Sequence, residues 1–235
     1  MSVSDSVVLF YNMRTKDDTM QGRCIIVGAG DINIGEIDQK EDDYIIAVDG
    51  GMLYCKVLGI KPDYYLGDFD SLEEAELQEI CELERLHPEC VKRLQPEKDD
   101  TDTISALRHG LALGYREFCI YAGMGGRLEH TIANLQSLIF LKNHGAKGYL
   151  MDAECMCLML QDETISFQRE LSGFLSLFVM GEMAEGVSIS GMKYPLQKQK
   201  LTNDFPIGID NEFIGETAEI AVEHGTLLAI VRWSE

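Results

Sequence analysis

Three groups of aspartates in this chain carry residue types and spacings that suit chemistry on phosphates. They are Asp49 in DGG, Asp68 and Asp70 in GDFDS, and Asp99, Asp100 and Asp102 in KDDTD. In GDFDS the two carboxylates are spaced i, i+2 on a turn, where both can face one cation, and Gly67 would allow a tight backbone path. Hard oxygen ligands presented this way suit Mg²⁺, which takes one or two carboxylates together with substrate phosphates and water. The plainer role for Asp68 and Ser71 is to cap the helix that follows. Several such groups at neighbouring positions argue against that role alone, because crowded carboxylates repel one another until a cation relieves them.

A second feature is Gly123-Met124-Gly125-Gly126-Arg127-Leu128-Glu129-His130, between an expected strand and an expected helix. Glycine-rich backbone at a helix N-terminus offers N–H groups to phosphate, and Arg127 adds a fork of donors. No Gly-Lys-Ser/Thr follows, so this is not a P-loop. Gly28-Ala29-Gly30-Asp31-Ile32-Asn33 does not complete G-x-G-x-x-G either, since Asn33 takes the last glycine position.

The elements that must position these groups are legible in the periodicity. Residues 24–29 and 44–48 are short β-branched runs of the kind that form buried parallel strands, and 118–122 is a third. Helical spacing runs from Glu73 to Leu86 behind Ser71, from Thr103 to Leu113 behind Asp102, and from about His130 to Asn143. This alternation predicts a doubly wound α/β domain over 1–154, with its site at the carboxyl ends of the strands, where the aspartates fall. Beyond it, Thr164–Phe167, Phe174–Val179, Gly186–Ser190, Ala218–Val222 and Leu227–Arg232 read as short strands. They predict a small antiparallel β-sandwich over 155–235. Glu182 to Gly186 and Lys198 to Pro206 read as loops.

Composition narrows the function. The net charge of −20 argues against nucleic acid and against adsorption to an anionic membrane. Seven cysteines match no disulfide framework or zinc pattern, which suits free thiols in a reducing compartment. Val7–Tyr11 is too short for a signal peptide, and no segment has transmembrane length, so a cytoplasmic enzyme is expected.

At these residues the chain resembles the thiamine pyrophosphokinase (thiamine diphosphokinase) family. DGG at 49–51, GDFDS at 67–71, K-D-x-T-D at 98–102, GGR-x-[DE]-H at 125–130 followed by Asn134-Leu135, and GMKYPL at 191–196 occur in the family's order. Asn211-Glu212 resembles the family's Ser-Asn-Glu. Glu129 stands where the family usually has Asp, and Asp210 where Ser is common. The resemblance implies transfer of pyrophosphate from ATP to the thiamine hydroxyl, by attack on the β-phosphorus with release of AMP. It implies a homodimer whose thiamine pockets draw on both subunits.

On that reading Asp49, Asp68, Asp70 and Asp102 hold Mg²⁺. Lys98 and Arg127 neutralise phosphate oxygens, with Asp70 and Asp102 also counted in the catalytic set. Gly125, Gly126 and Thr101 join Lys98 and Arg127 around ATP, while Tyr194, Asn211 and Asp210 meet thiamine. Which aspartate accepts the hydroxyl proton is left open. A pyrophosphokinase for another heterocyclic alcohol, such as a pterin, would keep the aspartates without the GMKYPL and Asn211 pocket. A metal-dependent phosphohydrolase would release AMP without a pyrophosphorylated product, and a nucleotide sensor would bind ATP without turnover.

Overall fold

A computed structural model of the chain describes residues 22–33, 36–95 and 100–233. The Val7–Tyr11 run, Lys98 and Asp99 lie outside the described residues. Of these, residues 22–152 and residues 153–233 fall in two compact units.

The first unit is an α/β layer. Its strands are β1 (Cys24–Val27), β2 (Tyr44–Val48), β3 (Tyr64–Gly67), β4 (Val91–Arg93), β5 (Glu117–Tyr121) and β6 (Lys147–Met151). They lie in the order β4-β3-β2-β1-β5-β6, and every pair is parallel. β1 is buried along its whole length, and β2 and β5 are buried except at their first residue, as strands covered on both faces must be. The order reverses direction between β1 and β5. In such sheets ligands bind beyond the carboxyl ends of the strands, near the reversal.

Four helices connect the strands: α1 (Gly51–Val57), α2 (Glu74–Leu86), α3 (Asp102–Ala112) and α4 (Leu128–Asn143). Two expected caps move. Thr101, not Asp102, caps α3, its hydroxyl accepting from the Ile104 N–H at 3.2 Å, and Asp102 becomes the first helical residue. Ser71 does not cap α2, whose first turn follows Glu73 and has no side-chain cap. Of the apolar positions expected on α2, only Ile80 is buried, so this Glu-rich helix touches the sheet along a narrow stripe.

At the other end of the strands, Arg23 and Asp43 are both buried. The Arg23 N–H and Nε donate to Asp43 at 2.9 and 3.0 Å, the Lys40 N–H donates to it at 2.8 Å, and Asp38 takes the remaining guanidinium edge at 3.2 Å. This network ties the start of β1 to the start of β2.

The second unit is an antiparallel sandwich. One sheet runs β12 (Gly208–Glu212), β9 (Gly173–Val179), β14 (Thr226–Trp233), β7 (Cys155–Gln161). The other runs β11 (Leu196–Thr202), β10 (Met183–Ser190), β13 (Ala218–Ala221), β8 (Thr164–Phe167). Phe167 of β8 meets Phe213, just past β12, edge to face with centroids 5.5 Å apart. That contact stitches the two sheets together. The loops expected at 182–186 and 198–206 are corrected, since 183–186 belong to β10 and 198–202 to β11. β11 is an edge strand with Lys198 and Lys200 exposed, the composition that guards an edge and hides strand character from periodicity.

All seven cysteines are free thiols. Among the described residues no helix is long and apolar enough to cross a membrane.

Candidate active site

Asp49 follows β2 in the left-handed region, with φ of 49°. Asp tolerates that conformation better than most residues. Its backbone N–H donates to the Leu66 carbonyl of β3 at 3.0 Å, which turns the DGG segment toward GDFDS. Gly67 faces it directly. A Cβ on Gly67 would lie 1.9 Å from Asp49 Oδ1, so the glycine is required for the missing side chain. The tight backbone path expected there falls instead on Phe69, at φ of 62°.

The Phe69 ring is buried, with the Arg93 guanidinium 5.2 Å from its centroid. That anchor fixes the turn between the two aspartates. Asp68 Oδ1 accepts the Asp70 N–H at 3.1 Å, and Asp70 stays on the exposed side of the turn. Burial, then the charge of Asp102 and a side-chain hydrogen bond with it, then Asp68 push the Asp49 carboxyl up to about 7, against one backbone hydrogen bond from Phe69. The fold thus brings Asp49 and Asp68, from the loops after β2 and β3, and Asp102, from the start of α3, within electrostatic reach of one another.

The oxygens gathered here fit a hard cation. Asp49 Oδ1 is buried and makes no hydrogen bond, and the carboxylates around it repel one another. A divalent ion would answer both conditions. Among the described residues no three His, Cys, Asp or Glu side chains form a complete metal cage. Mg²⁺ does not need one, because substrate phosphates and water fill most of its shell.

The glycine-rich turn after β5 is held from two sides. From α4, the Asn134 amide donates to the Gly123 carbonyl at 2.7 Å and the Thr131 hydroxyl to the Gly125 carbonyl at 3.5 Å. From the loop after β1, Asp31 Oδ2 accepts the Gly126 N–H at 2.9 Å. Gly125 and Gly126 have φ of 79° and 61°, which side chains rarely adopt. Arg127 opens α4, exposed, in contact with His130 and 3.8 Å from Glu129. Asp31 was not among the residues expected from the sequence. An acid directly behind Gly-Ala-Gly at the end of the first strand was the available signal.

In the sandwich unit the expected thiamine residues form a separate cluster. Asn211, 5% exposed, accepts the Tyr194 N–H at 2.9 Å and donates to the Tyr194 carbonyl at 2.8 Å. The Tyr194 ring itself is exposed, with Lys193 Nζ 5.8 Å from its centroid. Asp210 adopts φ of 54° at the irregularity between Gly208 and Asn211, and its carboxylate lies 3.8 Å from Arg232. The neighbouring Ser176 hydroxyl accepts the Asp210 N–H at 3.1 Å.

A six-stranded parallel layer with carboxylates and a glycine-rich turn at its strand ends defines an α/β fold of the class that binds ligands beyond the carboxyl ends of its strands. Residues 38–150 match the thiamin pyrophosphokinase catalytic domain, and residues 162–227 match the thiamin pyrophosphokinase vitamin B1 binding domain. The thiamine pyrophosphokinase of Bacillus subtilis is 29% identical over 186 residues, covering 79% of this chain and 85% of that protein. A crystal structure of the Bacillus subtilis enzyme superposes with a TM-score of 0.80 at 28% identity, over 91% of this chain and 99% of that one. The thiamin pyrophosphokinase from Candida albicans shares the fold, with a TM-score of 0.73 at 14% identity, over 90% of each chain. The chain belongs to the thiamine pyrophosphokinase family.

Proposed function

We propose that the chain transfers the pyrophosphoryl group of ATP to the hydroxyl of thiamine, giving thiamine pyrophosphate and AMP. The hydroxyl oxygen bonds to the β-phosphorus as its proton passes to one of the clustered aspartates, the bridge between the α- and β-phosphates breaks, and AMP leaves with the bridging oxygen. Little covalent chemistry falls to the protein in such a step. It positions the two substrates and neutralises charge.

The observation that supports this most is the convergence of Asp49 and Asp68, from two strand-end loops, with Asp102 at the start of α3, and with Asp70 on the same turn as Asp68. These four carboxylates would hold Mg²⁺, which when bound offsets the charge on the phosphate oxygens. Arg127 and the Gly125–Gly126 turn would lie along the phosphates. Lys98, in the same KDDTD motif as Asp102, would add a second cation. Thr101 would keep the start of α3, and so Asp102, in place. Tyr194 would stack on a thiamine ring, with Asn211 holding its backbone and Asp210 beside it.

We further infer a homodimer in which Tyr194 of one subunit serves the aspartates of the other. Phe205, Ile207, Ile209 and Ile214 are exposed on the sandwich together with Tyr194, an apolar set that a second copy would cover. Seven free thiols suit the reducing cytoplasm.

The test is incubation with ATP, Mg²⁺ and thiamine, followed by chromatography. Thiamine pyrophosphate and AMP in equal amounts support the reading. AMP and free pyrophosphate without the thiamine product would identify a hydrolase instead.

A further inference from the structure

Asp31 sits where the sheet reverses. β1 and β5 are parallel neighbours, and the loops leaving them are laced together by a run of hydrogen bonds. The Gly28 N–H donates to the Tyr121 carbonyl at 2.9 Å, the Gly30 N–H to the Ala122 carbonyl at 2.8 Å, and the Asp31 N–H to the Met124 carbonyl at 3.2 Å. The last stitch is the Asp31 carboxylate on the Gly126 N–H, at 2.9 Å. Close packing backs it up, because a Cβ on Gly125 would lie 2.6 Å from Asp31 Oδ2.

We infer that Asp31 is a positioning residue for the triphosphate: its carboxylate fixes the left-handed Gly125–Gly126 turn and thereby aims Arg127. Two consecutive glycines are the most conformationally free pair a chain can contain, and an unrestrained turn would spend most of its time in other shapes. Carbonyl clamps from Asn134 and Thr131 hold the turn's oxygens at Gly123 and Gly125. Asp31 holds an N–H of the turn, at Gly126, one residue before Arg127. A charge-assisted bond to a backbone N–H is stronger than a neutral one, so a single carboxylate suffices. The carboxylate already occupies the Gly126 N–H, which makes Asp31 a support of the turn that would lie with Arg127 along the phosphates.

This inference rests on the pyrophosphotransfer reading, and two variants with two readouts separate the two. Asp31→Ala removes the acceptor, whereas Asp31→Asn keeps an oxygen for the Gly126 N–H and loses only the charge. With Asp31→Ala, KM for ATP should rise about ten-fold while kcat and KM for thiamine stay within about two-fold. Asp31→Asn should stay within about two-fold of wild type or bind ATP more tightly, since it no longer repels phosphate. Amide hydrogen exchange at Gly126, followed by NMR on ¹⁵N-labelled protein without nucleotide, should be slow in wild type and Asp31→Asn and fast in Asp31→Ala. An unchanged or lowered KM for ATP in Asp31→Ala would overturn the proposal, the lowered value meaning that Asp31 competes with phosphate. So would Asp31→Asn as impaired as Asp31→Ala, or Gly126 exchange indifferent to the substitution. A wild-type enzyme that makes no thiamine pyrophosphate would reject the reaction, while Gly126 exchange and ATP affinity by calorimetry would still judge Asp31.

Discussion

Asn211 holds Tyr194 by its main chain, accepting the N–H at 2.9 Å and donating to the carbonyl at 2.8 Å. Both ends of the amide are used, so Asn211 acts on the GMKYPL segment the way a second strand would, and the Tyr194 ring is left exposed. Asn211→Ala would strand a backbone donor and acceptor beside a cavity. The expected cost is about 1–3 kcal/mol of stability, with KM for thiamine raised on the order of ten-fold and KM for ATP unchanged. Denaturant titration and steady-state kinetics with each substrate varied would check it. Equal loss for both substrates would mean that Asn211 does more than hold Tyr194.

Gly67→Ala should be far more damaging than its size suggests. The added methyl would meet Asp49 Oδ1 at 1.9 Å, and the strand beneath is too well paired to give way. Asp49 must then swing out of the cluster. Turnover should fall by about two orders of magnitude while the far-ultraviolet circular dichroism keeps its wild-type form. Near-native turnover would show that the position of Asp49 does not matter.

Much of the first unit was legible in the sequence because its strands are continuous apolar runs and its helices have a clean period. β1, β2, β5 and three of the four helices follow from that pattern. β3, β4 and α1 are short and owe their conformation to pairing and packing with neighbours, which a local pattern does not record. In the sandwich, β11 carries lysines and glutamines along an exposed edge, so nothing alternates. The aspartates were visible as motifs. That Gly67 makes room for Asp49, or that Asp31 reaches Gly126 across 95 residues of chain, depends on the order of strands in the sheet.

Acid should weaken the fold at Arg23 and Asp43. Burial by itself would raise the Asp43 carboxyl, but the hydrogen bonds from the Arg23 side chain and from the Lys40 and Arg23 N–H groups hold it below its ordinary value. The stabilisation is therefore complete above the unfolded value of about 3.9 and drains away as pH falls through the lower folded value. Asp43→Asn should cost about 3 kcal/mol at neutral pH, the low end for a broken buried pair because Asp38 also touches Arg23. The gap between the two proteins, measured by urea unfolding, should close as pH falls below about 4. A gap that stays constant to low pH would contradict the depressed carboxyl.

Subunit mixing tests the shared site. Tyr194→Ala and Asp70→Asn homodimers should each be crippled, but a heterodimer holds one site with both lesions and one with neither. Random exchange should restore activity to about a quarter of wild type. Demonstrated heterodimers without recovery would mean that each site is built from one chain.

The central claim is attack on the β-phosphorus, and the position of one labelled atom decides it. ATP carrying ³²P in its β-phosphate is incubated with thiamine, Mg²⁺ and the enzyme, and the products are separated by chromatography. The label should appear in thiamine pyrophosphate in step with unlabelled AMP. Label in ADP beside thiamine monophosphate, or in free pyrophosphate with thiamine unchanged, would contradict it.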